Sequence, residues 1–283
     1  MRGSRISLLV GIPVAGAAAV WALRALLARQ AAIARQRIGK PLGEQSIDAD
    51  RVWRRSQAGE PVDLVLLGDS LAAGLGAARR KETLGGRIAK GAALRTGRPV
   101  RLRTAAVVGS ESPDLDAQLR RLPPEYRPHV AVIVVGGNDV THRLPVTTSV
   151  RHLDSAIRAL RSRGAEVVVG TCPDLGALRP VPQPLRRIVS GLSRRLADAQ
   201  RLAAVGAGAV PVDLRRTVGP MFSDEPDRMF SLDRFHPSAL GYRRTAEALL
   251  PAVCAAITGA SARSDAQPET GERPRLDRSS TSR

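Results

Sequence analysis

Six consecutive apolar residues, Val130-Ala131-Val132-Ile133-Val134-Val135, most narrowly constrain the fold of this chain. The run is dominated by β-branched side chains and has no polar side to turn towards water. It therefore suits a strand covered on both faces, as in a parallel sheet between helical layers. Apolar β-type runs recur at 62–67 (VDLVLL), 101–107 (RLRTAAV), 166–170 (EVVVG) and 208–213 (GAVPVD). Helical patterns fill the intervals at about 83–96, 113–121, 147–163 and 185–205. A last helix is expected over about 237–257, with Pro237 in its first turn. This alternation predicts an α/β fold, a three-layer α/β/α sandwich on a five-stranded parallel sheet. In such open sheets functional groups collect at the carboxyl ends of the strands.

Polar motifs stand where those ends are expected. Gly68-Asp69-Ser70 follows the first run and would present a hydroxyl near backbone N–H groups able to stabilise negative charge. Gly109 follows the second run, and Gly136-Gly137-Asn138-Asp139 the third; small residues bring backbone N–H groups close, and an Asn amide can donate to an oxyanion. Asp139 reads as a residue that stabilises the Asn138 loop. Before the last helix comes Asp233-Arg234-Phe235-His236-Pro237. A carboxylate and an imidazole three residues apart meet when the segment turns, which orients the ring and leaves its other nitrogen to take a proton. The other histidines are set aside: His142 is expected on an exposed loop, and His129 and His152 have no visible carboxylate partner in the sequence.

Taken in order, GDS at 68–70, Gly109, GGND at 136–139 and DRFHP at 233–237 resemble the SGNH hydrolases, also called GDSL-type lipases and esterases, over about residues 62–257. The resemblance implies a flavodoxin-like sheet of order 2-1-3-4-5, with no metal or organic cofactor. It implies Ser70 as nucleophile, His236 as general base and Asp233 as its orienting carboxylate, with an oxyanion hole made by the backbone N–H groups of Ser70 and Gly109 and the side chain of Asn138. One departure is visible: the family usually carries Asn shortly before its second-block Gly, whereas this chain has Ala105-Ala106-Val107-Val108. The expected activity is carboxylic ester hydrolysis on a small-molecule or lipid ester. Two alternatives stay open at this point. One is an acyltransferase or deacetylase acting on cell-envelope carbohydrate or lipid; the other is a catalytically idle, membrane-tethered binding protein.

The flanks carry a different signal. Residues 6–23 are uncharged and apolar, between Arg5 and Arg24, and eighteen such residues are at the lower limit for a bilayer core of about 30 Å. Residues 1–28 are accordingly expected to be a signal peptide or membrane anchor, giving an exported or membrane-anchored cell-envelope protein. Arg24, Arg29, Arg35, Arg37 and Lys40 would by the positive-inside rule argue for the opposite orientation. Residues 29–59 are expected to form a helical, basic linker, 60–258 the hydrolase domain and 259–283 a disordered tail. The net charge of +18, from 44 basic and 26 acidic residues, is dispersed along the chain and favours an anionic membrane surface as a candidate partner. Aromatic residues make up only 2%, too few for the stacking platforms of single-stranded nucleic-acid binding, so no nucleic acid is expected. Cys172 and Cys254 are read as two buried thiols able to pair if the domain is exported, and no Cys/His cluster has metal-ligand spacing.

Overall fold

The computed structural model describes residues 11–265. Its sheet has six strands: β1 (Val52–Trp53), β2 (Val62–Gly68), β3 (Val100–Thr104), β4 (Val130–Val134), β5 (Glu166–Gly170) and β6 (Val210–Val212). Their order is β1-β3-β2-β4-β5-β6. β2 to β6 are parallel and reproduce the expected 2-1-3-4-5 arrangement, while β1 adds an antiparallel edge beside β3. That edge lies within the segment expected to be a linker.

Side-chain alternation explains the three layers. In β2, Val62, Leu64 and Leu66 point to one face and Val65 and Leu67 to the other; β4 divides likewise into Val130, Val132, Val134 and Ala131, Ile133. The first face is covered by the helix Leu84–Thr96, through Leu84, Ile88 and Ala92, and by the helix Ala239–Asp265, through Tyr242, Leu249 and Val253. The second is covered by the helix Val146–Ser162, through Leu153, Ile157 and Leu160, and by Leu115, Leu119 and Ala204. Burial on both faces is why residues 64–67 of β2 and 130–134 of β4 read as unbroken apolar runs. The last helix begins at Ala239 rather than at Pro237, because the Ser238 hydroxyl caps the amides of Leu240 and Gly241. It continues to Asp265, past the expected domain boundary at 258; the rest of the expected tail lies outside the described residues.

The expectation of export or membrane anchoring through residues 6–23 is corrected. Among the described residues, no helix is long and apolar enough to cross a membrane. Residues 6–10 lie outside the described residues, and the remainder opens the helix Gly11–Ile38. From Arg24 onward that helix carries Arg29, Gln30, Arg35, Gln36 and Arg37 among its alanines and leucines, and its second half covers the domain. Ala34 is buried there, with Leu27 and Ala31 against the cluster of Leu175, Leu178 and Leu185. The buried Gln30 side chain donates to Gln183 O at 2.5 Å and accepts from Leu185 N at 3.0 Å. Cys172 and Cys254 are both free thiols, Cys172 buried and Cys254 half-buried.

Candidate active site

The nucleophile candidate stands at the end of β2. Gly68, at φ +133°, turns the chain so closely over β4 that a Cβ there would sit 1.8 Å from Val134 O. Asp69 then caps the short helix Ser70–Ala73, accepting from Leu71 N at 2.9 Å, and Gly74 closes it in the left-handed region. Ser70 is thereby buried at the first helical position, with its hydroxyl facing the last loop of the domain.

That loop is an Asx turn built on Asp233. Its Oδ1 accepts from Phe235 N at 3.0 Å and from His236 N at 2.9 Å, a convergence that puts Arg234 in the left-handed region at φ +55°. Asp233 Oδ2 faces His236 Nδ1 at 2.5 Å, and His236 Nε2 faces Ser70 Oγ at 2.8 Å. Burial raises the Asp233 carboxyl, but the His236 hydrogen bond and the two backbone donors outweigh it and hold its pKa below the ordinary value. An ionised carboxylate only accepts, so Nδ1 carries the proton and Nε2 is left to receive the Ser70 hydroxyl hydrogen. Pairing of Ser231 N with His236 O and of Ser238 N with Met229 O secures the loop.

Asn138 reaches the same site from the end of β4. Its Nδ2 donates to Ser110 O at 2.9 Å, which joins this loop to the one carrying Gly109. Gly109 is at φ +86° and lies outside the lining of the main cavity; it borders a neighbouring hollow with Asp114 and Arg121. The main cavity, about 800 Å³ with its mouth, is lined by Ser70, Asn138 and His236, by the polar Asp69, Asp174 and Thr245, and otherwise by apolar side chains. Asp69 is buried behind Ser70. Desolvation raises its pKa to about 6, against the opposing pull of the Leu71 and Gly137 amides and of His236.

One residue that organises the site, Gln118, was not anticipated. Gln118, fully buried, accepts from Gly68 N at 2.9 Å and donates to Gly68 O at 2.8 Å and to Ser110 Oγ at 3.1 Å, tying the nucleophile turn to the Gly109 loop. A signal exists in the sequence: Gln118 occupies an apolar-stripe position among Leu115, Leu119 and Leu122, where a polar side chain needs a partner. Asp139 accepts from Ser112 N at 2.8 Å and from the Ser112 hydroxyl, which bridges the same two loops. His142 is exposed and contacts Glu111, 2.5 Å away. His129 and His152 do have carboxylate neighbours, Asp63 and Asp116, supplied by other elements and so invisible locally. Among the described residues, no group of three or more His, Cys, Asp or Glu could hold a metal ion.

A GDSL-like esterase of Mycobacterium tuberculosis, Rv1075c, is 43% identical over 210 residues, which make up 73% of this chain and 66% of that protein, about two thirds of its length. The fold resembles that of an extracellular lipase from Streptomyces rimosus (TM-score 0.54, 22% identity, 69% of this chain and 99% of the other). It also resembles the lipase Lip_vut3 from a goat rumen metagenome (TM-score 0.56, 18% identity, 68% and 97%). The model of the GDSL-like lipase/acylhydrolase family matches residues 66–244, more than half of the chain, and the protein therefore belongs to that family.

Proposed function

We propose that the protein hydrolyses carboxylic esters through Ser70, His236 and Asp233. The observation that carries this reading is the unbroken line from Ser70 Oγ to His236 Nε2 at 2.8 Å and from His236 Nδ1 to Asp233 Oδ2 at 2.5 Å. Ser70 Oγ attacks the acyl carbonyl carbon while its proton passes to His236 Nε2, and Asp233 stabilises the imidazolium. The carbonyl oxygen becomes an oxyanion that receives the Ser70 and Gly109 backbone N–H groups and the Asn138 N–H not engaged with Ser110 O. Collapse breaks the ester C–O bond, and the departing alcohol takes the proton from Nε2. Water repeats the sequence on the acyl-enzyme, releases the acid and restores the Ser70 hydroxyl.

A fluorophosphonate probe should label the wild-type protein and not Ser70→Ala. Asn138→Ala should lower p-nitrophenyl ester turnover by about 100- to 1000-fold, the effect of losing one oxyanion donor. A folded wild-type chain that neither labels nor turns over an ester defeats the reading. Near-normal turnover by Asn138→Ala removes that residue from the oxyanion hole.

A further inference from the structure

Resting on the ester-hydrolase reading, we propose that Gln30 and Arg37, on a helix outside the residues that the family model matches, are positioning residues for the substrate, because they fasten one wall of the cavity from behind. That wall is the segment after β5, where Leu175, Ala177 and Leu178 line the cavity that Phe222, Phe230 and Phe235 also border. It runs on into Arg179-Pro180-Val181-Pro182-Gln183-Pro184-Leu185, in which three of seven residues are proline. Proline has no N–H to donate, so no strand or helix ladder can hold such a stretch. Its place depends on the partners that its carbonyls and remaining amides find elsewhere.

The helix Gly11–Ile38 supplies those partners. Leu27, Gln30, Ala31 and Ala34 recur at helical spacing on the side that meets the domain, and Gln30 is the polar member of the four. Its buried amide is used from both ends: Nε2 donates to Gln183 O at 2.5 Å, and Oε1 accepts from Leu185 N at 3.0 Å. Leu185 opens the helix Leu185–Gly206, and Pro184 before it makes no side-chain cap, so Gln30 takes that role from a distant part of the chain. Arg37 adds a longer bond to Pro180 O at 3.4 Å. From there the bonds lead back to the cavity: Val181 N donates to Leu178 O at 3.1 Å, and Leu178 N to Leu175 O at 3.3 Å. Arg179 donates to Ser223 O at 3.1 Å, next to Phe222, which ties the wall on a second side. None of these bonds involves Ser70, His236 or Asp233. Gln30 and Arg37 therefore act on where the substrate lies and not on the path of the proton.

The test compares the full chain with Gln30→Met and Arg37→Ala on p-nitrophenyl butyrate, at a temperature well below every melting midpoint. Gln30→Met keeps the length of the side chain and gives up both hydrogen bonds. With Gln183 O and Leu185 N left unpaired the wall must shift to find other partners, so KM should rise about fivefold while kcat stays within about twofold of wild type. Arg37 is exposed and its bond is long, so Arg37→Ala should fold as the wild type does and raise KM by about twofold. An unchanged KM in Gln30→Met, even with a lower Tm, makes Gln30 a purely structural residue and overturns the proposal, as does a fall in kcat at constant KM. Should Gln30→Met fail to fold, Arg37→Ala decides: a raised KM at constant kcat supports the proposal and an unchanged KM overturns it. A wild-type chain that neither turns over the ester nor labels with a fluorophosphonate would instead sink the hydrolase reading beneath it.

Discussion

Gly68 closes β2 and Gly109 lies in the loop that follows the neighbouring β3; both have positive φ, yet their surroundings differ. A side chain at Gly68 would run into the backbone carbonyl of Val134, whereas one at Gly109 would meet nothing within 4 Å. The Gly68 turn is also gripped through both its N–H and its C=O by Gln118, and Asp69 N donates to Val134 O at 3.1 Å. The Gly109 loop is tied at its neighbour Ser110 by single bonds from Asn138 and Gln118. The turn that carries Ser70 is thus determined several times over by packing, while the Gly109 loop depends on backbone conformation and a few polar contacts.

The sharpest way to break this comparison is Gly68→Ala. With no room for the methyl group, β2 and β4 must separate at their carboxyl ends. The expected loss is about 4 kcal/mol or more, a fall of about 10 °C or more in Tm. A Gly68→Ala protein that melts within a few degrees of wild type would mean the turn can relax, and the claim of over-determination fails.

Next in size is the electrostatic cost of the nucleophile turn. Asp69 titrates near pH 6 in the folded chain against about 3.8 when exposed, because burial disfavours its charge. Between those values the native state binds more protons than the unfolded one, so stability falls as pH rises through that window, by about 3 kcal/mol in total. Asp233 works in the opposite sense: its lowered pKa gives stability that is present above the unfolded pKa and lost as pH falls through the folded one. Asp69→Asn keeps an oxygen for the Leu71 amide, gives up one backbone hydrogen bond at every pH, and removes the titration. The slope of unfolding free energy between pH 4 and 6 should therefore flatten, as read from urea curves, and an unchanged slope would show that another group titrates there.

What could be read beforehand follows the range of the interaction. The central parallel strands announce themselves because burial on both faces writes a local apolar run, as in Val130–Val134, whereas β3 alternates buried and exposed residues. The Asp233–His236 unit is legible because its partners are three residues apart. β1 escaped notice because a two-residue antiparallel edge depends on Val100 and Arg101 across the sheet and has no periodicity of its own. The pairings of Gln118 with Gly68 and of Asp139 with Ser112 are likewise set by which strand ends become neighbours. Residues 6–23 misled for the converse reason: a local apolar run was read without the later half of the helix, which Gln30 and Ala34 fasten to the domain. The gathering of Phe222, Phe230 and Phe235 around one cavity is a tertiary fact as well, although their confinement to fourteen residues of a chain so poor in aromatics is visible in the sequence.

The smallest expected effect is also the most discriminating. At Gly109 only the backbone conformation opposes a side chain, so Gly109→Ala should cost about 1–2 kcal/mol, the penalty of the left-handed region for a residue with a Cβ. Asn enters that region more readily, so Gly109→Asn should lose less stability than Gly109→Ala, an ordering that a purely steric site would reverse. Because the substitution leaves the backbone N–H in place, ester turnover should fall by less than in Asn138→Ala, where a donor is removed. Urea midpoints and kcat/KM on the two variants measure both quantities together. If Gly109→Ala is as destabilising as Gly68→Ala, the two loops are equally constrained and the asymmetry drawn from their surroundings is wrong. If it is mild in stability but as damaging to turnover as Asn138→Ala, the loop's backbone angle, rather than its packing, aims the oxyanion donor.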